Sequence, residues 1–530
     1  MRRRTSPRAV AAHWKTLLAR ERGTPTIIPP AQCQVALVYP GTYAVGMSSL
    51  GYQMVYRWIN EHPAALAERF FCEGRPAVAA DVSRQTRARS VEHGRPLDPF
   101  DLVAFSVAYE LEYLDVVRFV LANRITPFAA ERDPAGEPIL LAGGICLSVN
   151  RLPIHDLADV LVLGDGETIT TRLLDAWVAA DGDRPRFLRA IQAIPGVEVT
   201  AGACRRFGLE PAGLSHGATT APPAPRPHVE PALDSTDACS MIVTPDAEFA
   251  DRFLVEIARG CPYRCRFCFL GHAMPCRTRP FEAVREMIER GRLLTNRFGL
   301  IAAAVGSHPE VERICEYGLR EGLEVSFSSL RVEDVKPSML ELLVAGGQKV
   351  VTIAPEAGSE RLRRSLGKRL TDAQVIESAA GAAGRGLTDL RLYFMVGLPD
   401  EAPEDVEAIA RLVEAARRAA HAARPNGRGR VEVSANVSIY VPKPGTAFAP
   451  GHTDLEKLRV PSIAEIRKRL RRLAALLGRI EGASFRMPSP ATAQAQRRLT
   501  WGDRQMLPRL IAAAEAGSGW RRVLAAPESS

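Results

Sequence analysis

Three cysteines fall within eight positions of the segment ARGCPYRCRFCFLG, residues 258–271: Cys261, Cys265 and Cys268. Thiols this close share a task, and four are open: a zinc site, an iron–sulfur cluster, disulfide pairing, or a chance grouping in a core. A structural zinc site needs four ligands and usually draws them from two short hooks. Here the gaps are three residues and then two, no second hook follows, and Cys276 lies past GHAMP at a spacing unlike a zinc ribbon's. Phe267 directly precedes Cys268, and an apolar, strand-like run precedes Cys261. Three thiolates on one short loop suit three irons of a [4Fe–4S] cube. The fourth iron is then open to a ligand, by the logic that leaves a catalytic zinc one free position.

The other cysteines, at 33, 72, 146, 204, 239, 276 and 315, show no disulfide-framework spacing. Buried single thiols plus one metal-type group in a reducing compartment are the expectation. No apolar run approaches the ~20 residues of a membrane span, and the basic start lacks an apolar stretch with a cleavage site, so a cytoplasmic address and no membrane partner are expected. A net charge of +9 and a pI near 9.1 come mostly from arginine. A basic surface of this kind suits phosphate or carboxylate recognition but also ordinary solvation, and it decides nothing alone.

The elements that must position these thiols read as two βα series. A chain of 530 residues exceeds one core, so about three domains are expected. QVALVYP (34–40), DLVAFSVA (101–108), PILLAGG (138–144) and ADVLVLGDGE (158–167) are short apolar strands separated by helical stretches. They predict an α/β, doubly wound, Rossmann-like sheet over 31–204 after an extension over 1–30. Gly46, Gly143, Gly144, Gly164 and Gly166 fall at strand ends, where ligands approach such sheets. Residues 205–245 are rich in Pro, Ala and Thr and read as a linker. Six further strands, from RFLVEIARG at 252 to VEVSANVSIYVP ending at 442, alternate with helices. They predict a partial (β/α)6 barrel over 246–455, with chemistry at the carboxyl ends of its strands. From 456 to 530 the chain reads as helical and basic. Leu470, Leu473, Leu476, Leu477 and Ile480 form one stripe there, as on a helix packed against the barrel.

The C-x3-C-x2-C spacing, the aromatic before the third cysteine and the place after the first strand of a βα series resemble the radical S-adenosylmethionine (radical SAM) superfamily. That resemblance implies a [4Fe–4S] cluster on Cys261, Cys265 and Cys268 and S-adenosylmethionine (SAM) on the open iron. It implies reductive cleavage to a 5′-deoxyadenosyl radical, hydrogen abstraction or methyl-type group transfer, and a flavodoxin- or ferredoxin-type reductant. It also assigns contacts. Gly306 and Ser307 in AVGSHPE stand where Gly-Gly-Glu often meets the methionyl amine, with no Glu in register. Ser329 and Arg331 end strand three, Glu356 is placed for the ribose hydroxyls and Lys368 for the carboxylate. The backbone around Met395 and Gly397, in YFMVGLPDE, corresponds to the adenine-facing motif.

VALVYPGTYAVGMSSLGYQMVY, LLAGGICLSVN and DVLVLGDGE resemble the cobalamin-binding-type domain that precedes the barrel in one radical SAM class. The Asp-x-His-x-x-Gly signature of a histidine-ligated cobalamin is absent, because Gly41 and Tyr43 stand at the Asp and His positions and Gly46 alone matches. Two alternatives follow: cobalamin bound without a protein imidazole, or the fold kept to shape a substrate pocket. His155, beside Asp156 in a loop, reads as a surface pair. The sequence leaves the substrate open, with RNA and protein as the candidates. A cobalamin-dependent radical SAM methyltransferase is the alternative within this class, and a non-enzymatic iron–sulfur or RNA-binding protein is the alternative from a different class.

Overall fold

The structure is a computed structural model and describes residues 7–25, 31–72, 87–211, 226–234, 236–424, 430–449 and 461–525. Two compact units divide it: Met1–Pro231 with Ser240–Asp251 and Arg498–Ser530, and Ala232–Cys239 with Arg252–Arg497. The basic C-terminal region expected as one piece is therefore shared between them. Within the expected linker, part of the described chain is tied to the first unit. His228 pairs with Gly164, and the backbone N–H groups of Met241 and Ile242 donate to Gln53 Oε1.

The first unit is built on β1 (Cys33–Tyr39), β2 (Ala65–Phe71), β3 (Leu102–Ser106), β4 (Ile139–Gly143), β5 (Val160–Val162) and β6 (Val197–Val199). Their order is β2-β1-β3-β4-β5-β6, parallel except for the β5/β6 pair. This is the doubly wound sheet expected, with two strands added. β2 escaped the sequence pattern because ALAERFF puts Glu68 and Arg69 in the interior, where charge is rare unless paired. β6 is only three residues long.

The second unit holds β7 (Phe253–Glu256), the two-residue strands β8 (Ala258–Arg259) and β9 (Arg277–Thr278), β10 (Arg297–Ile301), β11 (Glu324–Phe327), β12 (Val350–Glu356), β13 (Asp389–Val396), β14 (Glu432–Ile439) and β15 (Ala483–Arg486). One sheet is β11-β10-β7 and another β12-β13-β14-β15; a parallel bridge between Leu330 and Ile353 joins them. The strands thus run in chain order around an open, parallel barrel, and the alternation of β13 and β14 shows why. Leu390, Leu392, Phe394 and Val396 are buried, as are Val433, Ala435, Val437 and Ile439. β15 comes from the region expected to be helical; ASFR is short and half exposed and carries no strand pattern. The helix Ile463–Leu477 buries Ile466, Leu470, Leu473 and Leu477, close to the stripe expected.

Candidate active site

The cysteine segment is an excursion between β8 and β9, which close on each other as an antiparallel pair. Glu256, at the end of β7, clamps the neck by accepting from Arg259 on β8 at 3.0 Å and from Arg279 just past β9 at 2.9 Å. Gly260 has a φ of +77°, and a Cβ there would lie 2.2 Å from the Pro275 carbonyl oxygen, so the neck requires glycine. The middle of the loop is held by the barrel's own loops. Arg266 N–H donates to the Leu366 carbonyl at 3.0 Å, and Phe448 N–H donates back to the Arg266 carbonyl at 3.1 Å. Phe267 packs on the apolar group of Leu362, Leu366, Leu398, Tyr440 and Phe448, which accounts for an aromatic before Cys268. Met395 joins that group, so its side chain is committed to packing.

Cys265 is buried, and Cys261 and Cys268 are half-buried. Burial raises the Cys261 and Cys268 thiols, while backbone N–H groups pull the other way: that of Tyr263 at Cys261, and those of Gly271 and Leu270 at Cys268. Arg331 Nη1 reaches the Cys265 sulfur at 3.3 Å. Among the described residues no three His, Cys, Asp or Glu side chains gather closely enough to share a single ion. The thiols are spread along a loop, each with an N–H group directed at it. That donor set fits a cluster with one iron per thiolate, since such sulfurs are tuned by hydrogen bonds.

The sequence-selected residues fall into two groups. Arg331, Glu356 and Lys368 carry interacting charge. Lys368 is 2% exposed and donates to Glu356 at 2.9 Å and to the Ala354 carbonyl at 2.8 Å. Glu356 ends β12 with φ +73°, where the register against β13 shifts. A non-glycine residue held in that region costs roughly 1–3 kcal/mol and is kept where surrounding structure over-determines it. Its carboxylate is near enough to Cys268 to act on that thiol electrostatically.

The other group is engaged in backbone packing. Gly306 is buried, and a Cβ there would meet the Asp334 carbonyl oxygen at 2.2 Å. Ser307 Oγ donates to the Ala304 carbonyl at 2.7 Å. Ser329 is half-buried just before the Leu330 bridge. Gly397, at φ +92°, donates its N–H to Glu401 Oε2 at 2.9 Å.

Three further residues were not singled out in the sequence. Tyr263 lies under the Arg331 guanidinium, 3.7 Å from its ring centre, and donates to Asp334 at 2.5 Å. Arg363, fully buried, binds the carbonyls of Ala357, Gly358 and Leu370 and the Asp372 carboxylate, tying together the loops that carry Glu356 and Lys368. Burial pushes Glu401 up to about 7, against the bonds it accepts from Gly397 and from Arg469 at 2.7 Å. Tyr263 sits inside the cysteine motif and had that signal; Arg363 and Glu401 had none.

In the first unit, Tyr43 is 2% exposed, and its hydroxyl donates to Glu21 at 2.5 Å. Glu21 pairs with Arg69 at 2.8 Å, and Arg69 pairs with Glu92 at 2.6 Å. The side chain at the histidine position therefore belongs to a buried ion network, and this site does not fit imidazole-ligated cobalamin. His155 is buried, not a surface pair: it bridges Asp156 at 3.3 Å and Glu198 at 2.9 Å. Burial works against its charge, yet those two carboxylates hold its pKa above the ordinary value.

Two family models match this chain: radical SAM proteins, N-terminal, over residues 51–199, and the radical SAM superfamily over residues 255–413. The chain belongs to the radical SAM superfamily, whose members are enzymes. An uncharacterized protein of Methanocaldococcus jannaschii is 25% identical over 79% of this chain and 80% of its own length. An uncharacterized methyltransferase of Pyrococcus horikoshii is 30% identical over 29% of this chain and 35% of its own. Among solved structures, the cobalamin-dependent SAM radical enzyme OxsB matches 72% of the chain at 15% identity and a TM-score of 0.48. This chain spans about half of that structure (52%). Membership implies a [4Fe–4S] cluster, SAM and an external reductant. Among the described residues, no helix is long and apolar enough to cross a membrane.

Proposed function

We propose that this enzyme holds a [4Fe–4S] cluster on Cys261, Cys265 and Cys268 and uses it to open SAM reductively, for hydrogen abstraction or methyl-type transfer. The cluster, when bound, supplies the electron that breaks the sulfonium bond; the chain supplies placement and shielding. Glu256, Arg259 and Arg279 fix the neck of the cysteine loop. Glu356, braced by the buried Lys368 ammonium, presents a carboxylate near Cys268, suited to a hydroxyl-bearing ligand. The observation that carries the reading is this meeting of three half-buried to buried thiols with a charged pair at the carboxyl end of one parallel barrel. The printed name of the P. horikoshii relative supports methyl-type transfer. The electron is supplied by a flavodoxin- or ferredoxin-type donor. Nothing in the reading runs through cobalamin.

The test is anaerobic reconstitution with iron and sulfide, reduction by dithionite or reduced flavodoxin, and addition of SAM. Formation of 5′-deoxyadenosine and methionine, lost in Cys265→Ala, supports the reading. No cleavage with either reductant, by a protein carrying a full cluster, rejects it.

A further inference from the structure

The three thiols take their N–H groups from different sources. Those at Cys261 and Cys268 come from the loop's own backbone, from Tyr263 and from Leu270 and Gly271. The one at Cys265 comes from a charged side chain on another strand's loop, Arg331, at 3.3 Å. Arg331 is held there on several sides. Its guanidinium stacks 3.7 Å from the Tyr263 ring centre, Nη2 donates to Glu333 at 3.0 Å, and Nε stands 3.5 Å from Asp334. Asp334 is fixed in turn by the Tyr263 hydroxyl and by the close approach of Gly306 to its backbone. A guanidinium so braced has little freedom to follow a bound small molecule.

We propose that Arg331 is a positioning residue that sets the reduction potential of the cluster by delivering a charged N–H to the Cys265 sulfur, in place of the SAM contact its strand-end position suggests. The inference rests on the proposed function above. Hydrogen bonds to cluster sulfurs and nearby net charge are levers on such potentials. A positive donor favours the reduced, more negative state, so its removal makes reduction harder. Glu333, sharing the guanidinium, works in the opposite sense.

The experiment is an EPR-monitored redox titration of the anaerobically reconstituted full-length chain, with iron and sulfide counted for each sample. Arg331→Gln is expected to bias the cluster at least tenfold toward the oxidised state, a shift of about 59 mV to lower potential for one electron. Arg331→Lys keeps the charge without the planar fork and should shift less, in the same direction. Glu333→Gln should raise the potential. A cluster-loaded Arg331→Gln with the native potential overturns the proposal, whatever its activity. If Arg331→Gln takes up no cluster, Glu333→Gln decides, and an unchanged or lowered potential there overturns it too. A native chain that binds no iron instead overturns the functional reading on which this rests.

Discussion

At the carboxyl end of the first unit's sheet, a Cβ on Gly144 would meet the Val107 carbonyl oxygen at 2.2 Å, and one on Gly164 the His228 carbonyl oxygen at 2.0 Å. The close approach those glycines permit is taken up by the chain's own backbone. Val45, Tyr109 and Ile145, in the segments that follow β1, β3 and β4, turn apolar side chains to solvent. At the carboxyl end of the second unit's barrel, the same kind of loop carries three thiols, a guanidinium and a Lys–Glu pair. Two sheets of similar, mostly parallel construction thus end in different materials, and the three closely spaced thiols lie on the barrel's loops. Strand topology says where to look for a site; the residue types on the loops decide whether it is there.

Substitutions can break that contrast, beginning with the cysteines. Cys265→Ala should abolish cluster absorbance and 5′-deoxyadenosine together, whereas Cys146→Ser, in the first unit, should leave iron content at the native level; loss of iron in both would erase the distinction. Next in size is Arg69→Met, which strands Glu21 and Glu92 in the interior of the first unit. It should cost about 3–5 kcal/mol, read by urea denaturation.

A smaller effect sharpens the comparison through pH. Glu401 titrates near 7 when folded against an ordinary 4.5, so the folded chain holds that proton more tightly. The stability this group contributes is full below its unfolded pKa and is lost as pH rises through about 7, a total of up to roughly 3 kcal/mol. Glu401→Gln should flatten that slope in denaturation curves taken from about pH 4 to 8. Smallest is Tyr43→Phe, which removes one hydrogen bond to a buried carboxylate and should cost about 1.5 kcal/mol in the same measurement. A cluster-loading defect in Tyr43→Phe would be unexpected.

The barrel was legible because its strands alternate or run apolar between clear helices and because C-x3-C-x2-C is a local pattern. The partners of those cysteines were less so. Arg331, Glu356 and Lys368 were reachable only through the resemblance. Arg363 and Glu401 act through contacts between loops that no spacing encodes. β2 was hidden by Glu68 and Arg69, whose charges are neutralised by residues far away in sequence. His155 was misjudged for the same reason: Glu198, which buries it, lies on β6, and Arg504, which braces Asp156 at 2.9 Å, comes from the far end of the chain.

That last contact bears on how the molecule is made. Asn150 donates to the carbonyls of Leu499, Thr500 and Gly502, and Thr500 donates to Glu110 at 3.1 Å. The barrel is therefore an insertion within the first unit, not a module appended after it. During synthesis the N-terminal sheet must wait, with its last helices missing, until the whole barrel has left the ribosome. A chain cut just before Arg498 would lose part of the first unit's interior, so the segment that looks like a dispensable tail is the piece that completes the beginning.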